Sequence, residues 1–194
     1  MSASSLVPAK RRVFDEYPID FKAFHGEHRR KLIERFGGIG ATKGVVFLEG
    51  GKTSYWHCTD KEIVFRQEGY FHYLFGVDEA DFLGAIDLNT GKSMLFAPRL
   101  PASYATWLGK IHELHTFKDK YHVDDVYYAD EASTELIKLG AETVFVMPNC
   151  KLEWLCGPTS LFKVDKERLQ DEMDECRVIK TDAEIALLQH INDT

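Results

Sequence analysis

The sequence predicts an α/β domain with a mixed β-sheet flanked by helices. Three observations carry this expectation. Short apolar runs rich in Val and Phe recur along the chain, as in "GVVFLEG" and "TVFVMP". Segments with helical spacing lie between and after them. One pair of apolar runs is joined by an Asn-Thr-Gly turn, the pattern of a hairpin. Such a mixture is stable only when helices cover a sheet.

The elements follow in order. Residues 19–36 place Phe21, Phe24, His28, Leu32, Ile33 and Phe36 at helical spacing, with Asp20 as the cap and "GGIG" as the stop. "GVVFLEG" is a buried strand. "EIVFRQ" is a second strand. "YFHYLFG", from Tyr70 to Gly76, packs four aromatics into a short stretch. Rings of roughly 150–250 Å² each make it a core plug, with a shaped surface for an apolar partner as the weaker alternative. "DFLGAIDLNTGKSMLFAP" is the hairpin. "FKDKYHVDDV" and "DEASTELIKLG" read as helices, the second ending at Gly140, and "TVFVMP" as a strand stopped by Pro148. Near the end, Thr181 and Glu184 form a capping-box pair ahead of an apolar stripe at Ile185, Leu188 and Ile191. That stripe has little left to pack on, and the chain is expected to be cut from something longer.

Composition narrows the function. The chain has 194 residues, 44% hydrophobic and 28% charged. A chain of that length buries roughly 70% of its unfolded surface, enough for a real core. The net charge of -7, from 24 basic and 31 acidic residues, argues against nucleic acid as a partner. Cys58, Cys150, Cys156 and Cys176 contain no C-x-x-C pair and read as reduced thiols of a cytoplasmic protein. No apolar run reaches the length of a membrane span. Residues 1–18 are expected to be a flexible tail, 19–176 an α/β domain, and 177–194 a junction and the first helix of a further domain.

The short motifs are weak. "GGKT" and "TGKS" resemble the end of a phosphate loop, but the pattern needs Gly where Val46 and Ile86 stand. "HELHT", from His112, places its second His at i+3 rather than i+4, so it reads as surface rather than a zinc helix. His57 and Cys58 lack further ligands at metal spacing. Asp124 and Asp125 read as a helix-end or turn pair. No complete catalytic constellation is present.

"PRLPASYATWLGK" holds the open question. Trp107 is a large ring in a Pro-rich stretch bracketed by Arg99 and Lys110. It shares a helical face with Tyr104, Leu108 and Ile111, so it is either core or held out to meet something.

Longer blocks are more specific. "VFRQEGYFHYLFGV", "IDLNTGKSMLFAPRLPASYATWLGKI", "FKDKYHVDDVYYADE" and "ECRVIKTDAEIALLQHIN" resemble, in order and spacing, the amino-terminal domain of the prolidase (Xaa-Pro dipeptidase) family. The resemblance covers most of residues 44–191 and is weak before Gly44. It implies a creatinase/aminopeptidase P type of amino-terminal domain followed by a "pita-bread" catalytic domain. It implies two manganese ions on two Asp, one His and two Glu, all beyond position 194, so this chain is expected to hold no catalytic and no metal-binding residue. It also implies a cytoplasmic homodimer acting on Xaa-Pro dipeptides. The loop matching "RLPASYATW" would reach the neighbouring subunit's active site, with Trp107 as a substrate-binding residue. The alternative is a catalytically dead protein-binding module of the same fold, as in a histone-chaperone subunit.

Overall fold

The computed structural model describes residues 20–41, 43–153 and 162–193; the side chains of Trp107 and Leu108 are also outside the described set. The expected tail at 1–18 therefore lies outside the described residues. Helix α1 (Phe21–Gly38) starts where Asp20 Oδ1 accepts from the Ala23 amide at 3.0 Å. Such a cap answers one of the donors that a helix start leaves open. The "GGIG" stretch ends it as expected.

Strand β1 (Gly44–Glu49) is apolar at nearly every position because both its faces are covered. It pairs antiparallel with β2 (Leu83–Asp87), which pairs antiparallel with β3 (Ser93–Ala97) across the predicted turn. Asp87 closes that turn, accepting from the Asn89 amide at 3.0 Å and the Thr90 hydroxyl at 2.5 Å. "TGKS" is thus part of a hairpin. Three parallel pairings complete the sheet: β3 with β4 (Asp125–Tyr128), β1 with β5 (Thr143–Phe145), and β5 with β6 (Lys163–Asp165). The order is β4-β3-β2-β1-β5-β6.

The two faces have different covers. On one, Val46, Leu48, Ile86, Leu95 and Phe145 meet α1, α2 (Gly69–Phe75) and α6 (Arg168–Val178), and α4 (Leu114–Tyr121) adds Tyr121. On the other, Val45, Phe47, Met94, Phe96 and Val144 meet Ala132 and Leu136 of α5 (Ala132–Lys138). The aromatic stretch is α2 itself: Phe71, Leu74 and Phe75 are almost fully buried, as the core-plug reading expects. A four-residue helix, α3 (Ala105–Leu108), lies between β3 and α4, and α7 (Asp182–Asp193) ends the described chain.

Two expectations are corrected. Residues 62–67 are not a strand: Val64 is 90% exposed, and the segment makes one isolated bridge, Tyr55 to Glu62. Both edges of β1 are already taken by β2 and β5, so the run cannot join the sheet beside the strand that precedes it. The stretch 117–126 is not a single helix either. His122 adopts φ +51 and ends α4, and Asp125 opens β4. The free edge of β3 wins the following residues. Asp124 donates its amide to the Ser93 carbonyl at 3.0 Å and accepts from the Ser93 amide at 2.8 Å.

Gly84 shows how tightly the first face is filled. A Cβ there would lie 2.5 Å from the Phe75 ring and 3.0 Å from that of Phe71. Gly84→Ala should gain about 0.4–1 kcal/mol through a stiffer unfolded chain and lose about 1–3 kcal/mol by overpacking. The expected net result is a lower urea midpoint with an unchanged slope.

Candidate functional site

Segment 98–113 leaves the sheet at the carboxyl end of β3. The described residues from 101 to 106, and Gly109 and Lys110, are exposed. Pro101 opens a 3-10 turn at Ala102–Tyr104, which runs into α3. Tyr104 is 39% exposed and Ile111 is half-buried, so these members of the predicted apolar face do not form a core stripe. The backbone of Trp107 lies in α3; its side chain lies outside the described residues.

The other candidates stay apart. His57 and Cys58 are exposed. His115 faces Glu113 at 3.2 Å, and both are exposed, as is His112. Lys52 of "GGKT" pairs with Glu153 at 3.1 Å. Asp125, the first residue of β4, pairs with Lys118 at 3.3 Å, and Asp124 just before it secures the start of that strand. Among the described residues no three His, Cys, Asp or Glu gather closely enough to hold a metal ion. The described side chains therefore offer no ligand set for the manganese pair that the resemblance implies. Cys58 is exposed, and Cys150 and Cys176 are buried.

A cleft of about 1370 Å³ opens between α1, α2 and the last two helices, with Phe24, His72, Tyr121, Arg177 and Leu187 among its walls. His25 and His28 line its floor and belong, with Arg29 behind them, to a buried polar cluster. The helical spacing predicts His28 on the inner face and does not single out His25 or Arg29. His25 Nδ1 and His28 Nδ1 both lie on the Tyr73 carbonyl, at 3.0 and 2.8 Å. A carbonyl can only accept, so both rings carry the proton on Nδ1. The His28 ring also stacks on Tyr73, with centroids 3.8 Å apart. Arg29 donates to the Leu74 carbonyl at 2.8 Å and to the His122 carbonyl at 3.2 Å, closing the ends of α2 and α4. The signal in the sequence was spacing alone: positions 25, 28 and 29 share a helix face with Leu32 and Phe36.

Burial decides the protonation of this cluster. His25, 6% exposed, is pushed down to about 4 by desolvation, against the support of the Tyr73 carbonyl, and His28, His72 and Arg29 add like charge. His28 is also lowered, again by desolvation, although Tyr73 and Glu184 oppose the shift. Its Nε2 stands 3.4 Å from Glu184 at the start of α7.

In the described residues a mixed six-stranded sheet carries helices on both faces, which defines an α/β domain. The family model described as "Aminopeptidase P, N-terminal domain" matches residues 25–145, and the chain belongs to that family. It is 44% identical to the Xaa-Pro dipeptidase of Rattus norvegicus over 174 residues, covering 85% of this chain and 35% of the relative. It is 41% identical to that of Homo sapiens over the same span. The chain thus corresponds to about a third of the length of these relatives. Among solved structures, Pseudomonas aeruginosa aminopeptidase PepP matches with a TM-score of 0.68 at 18% identity, covering 85% of this chain and 40% of that one. Aminopeptidase P from Escherichia coli matches at 0.67 and 17%, covering 87% and 41%. These likenesses show a shared fold.

The buried histidines set a pH dependence. A His whose folded pKa lies below its unfolded value resists protonation only in the folded state. Its stability contribution is complete above about pH 6.5 and falls as pH drops towards 4, where the folded form titrates too. For His25 the loss between pH 7 and 5 should be about 2 kcal/mol. Urea unfolding at the two pH values measures it, and His25→Asn should flatten the dependence.

Proposed function

We propose that this chain is the amino-terminal, non-catalytic domain of an enzyme that hydrolyses Xaa-Pro dipeptides with a dinuclear metal centre. The observation that carries the reading is the 44% identity to an Xaa-Pro dipeptidase across 85% of the chain. In this reading the two metal ions, manganese by resemblance, are held by residues that follow the present chain. The enzyme works in the cytoplasm, a setting that suits thiols such as those of Cys58 and Cys176.

The domain's part is to shape substrate access and to build a homodimer. Segment 98–113 suits that part because it stands in solvent at a strand end, where loops on a rigid scaffold carry function. In this reading Trp107, on the same segment, closes a neighbouring subunit's site around the dipeptide. Residues 182–193 form the first helix of the second domain. Ile185 and Leu188 are each about half exposed, which suits a helix face that packs against a further domain.

Two measurements test this. The 194-residue chain incubated with Gly-Pro and manganese should release no proline above a metal-only blank. In the complete protein, Trp107→Ala should lower kcat/KM roughly ten- to hundredfold, or about 1–3 kcal/mol. If the ring is held out as proposed, its removal leaves no cavity and the melting temperature should barely move. A large drop in melting temperature with unchanged activity per folded molecule would place Trp107 in a core.

A further inference from the structure

Segment 98–113 must keep one direction if a residue on it is to meet a substrate, yet it has little core to hold it. Between Leu100 and Ile111 every described residue with a defined exposure is exposed. Its backbone hydrogen bonds, Tyr104 to Pro101 and Gly109 to Ala105, are internal to the segment. They shape the loop without aiming it.

Arg99 supplies the missing attachment. The parallel pairing of β3 and β4 sets Ala97 beside Tyr128. Two residues further along each strand, Arg99 therefore meets Asp130. Its Nε donates to Asp130 Oδ2 at 3.0 Å, and one terminal nitrogen donates to Asp130 Oδ1 at 3.2 Å. The same nitrogen donates to Glu131 Oε1 at 3.1 Å. The guanidinium carbon lies 3.7 Å from the centre of the Tyr128 ring. Glu131 is itself tied down, because its other oxygen accepts from the Tyr128 amide at 3.0 Å. Among the described residues, Arg99 alone carries side-chain hydrogen bonds from residues 98–110 into the body of the domain.

Magnitude decides what this arrangement is for. Arg99, Asp130 and Glu131 are each about half exposed. Exposed ion pairs contribute roughly 0–1 kcal/mol to folding. A planar fork held by two carboxylates and stacked on a ring instead fixes direction, which an ammonium on a flexible stem does not. Pro98 and Pro101 on either side remove backbone freedom, so an angle fixed at Arg99 is carried into the segment. We propose that Arg99, clamped by Asp130, Glu131 and Tyr128, is a positioning residue that aims the Trp107 segment for Xaa-Pro cleavage. The proposal rests on the function inferred for Trp107.

The test uses the complete protein and two readouts. Amide exchange of residues 100–110, followed by mass spectrometry, reports local order; steady-state hydrolysis of Gly-Pro reports catalysis. Arg99→Ala and Arg99→Lys should both speed exchange about tenfold or more and lower kcat/KM about ten- to hundredfold, with unchanged melting temperature. In a Trp107→Ala background, Arg99→Ala should cost little further activity. Arg99→Lys behaving as wild type would overturn the clamp, since charge alone would then suffice. Faster exchange with no kinetic loss, or a fully additive loss in the double variant, would overturn its role in the reaction. If Trp107→Ala leaves kcat/KM unchanged, the function proposed for Trp107 fails. The exchange readout then still decides whether Arg99 anchors the segment.

Discussion

The carbonyl end of α2 is the constraint around which the first face of this domain is arranged. A helix of seven residues leaves most of its carbonyls without partners inside the helix, and α2 is buried among aromatic and aliphatic side chains. An unanswered carbonyl there would cost about 1–3 kcal/mol. Helix α1 answers them with His25, His28 and Arg29, which converge on the Tyr73 and Leu74 carbonyls. Gly76 completes the arrangement. Its φ of +65 turns the chain out of α2, and a Cβ there would lie 2.2 Å from His25 Nε2. The lowered basicity of the two histidines follows from the same burial. Polar satisfaction of α2 and a neutral imidazole pair are two sides of one requirement.

The sheet serves the exposed segment in a comparable way. Antiparallel β2 and β3 bring the chain to the β4 edge, and parallel β4 then runs beside β3 so that both strands end together. The residues after each strand are neighbours by construction. Strand register, rather than any local motif, places a cation from one loop over the acids and ring of the other.

What could be read in the sequence followed from local chemistry. Asp20, the Asn-Thr-Gly turn and the Thr181–Glu184 pair act within a few residues of themselves, and the structure shows each as expected. Strand β1 was legible because coverage on both faces makes it apolar throughout. The false strand at 62–67 has the right residues, but β2 and β5 already flank the preceding strand β1. Strand β4 was hidden for the opposite reason: an available edge at β3 overrides a helical pattern that His122 ends. The short β6 pairs only through its neighbour β5 and has no apolar run to announce it. For the site, spacing placed His28 inward. That His25 and Arg29 join it depends on where α2 lies, which no local pattern states. Arg99 appeared only as a bracket around Trp107, since its partners lie 31 and 32 positions away.

Helix α1 does more than cap α2. Lys31 donates to the Cys176 carbonyl at 2.7 Å and to the Ile179 carbonyl at 2.6 Å, and Tyr73 of α2 donates to the Cys176 carbonyl at 3.1 Å. The first described helix is thereby closed by nearly the last. During synthesis the amino-terminal end emerges early, but these partners emerge some 145 residues later. At translation rates of about 5–20 residues per second, α1 waits roughly 7–30 seconds with part of its inner face uncovered. Completion of the domain is thus timed to the arrival of residues 168–184. A ribosome stalled short of that point would present an open apolar surface, the kind of intermediate that chaperones recognise.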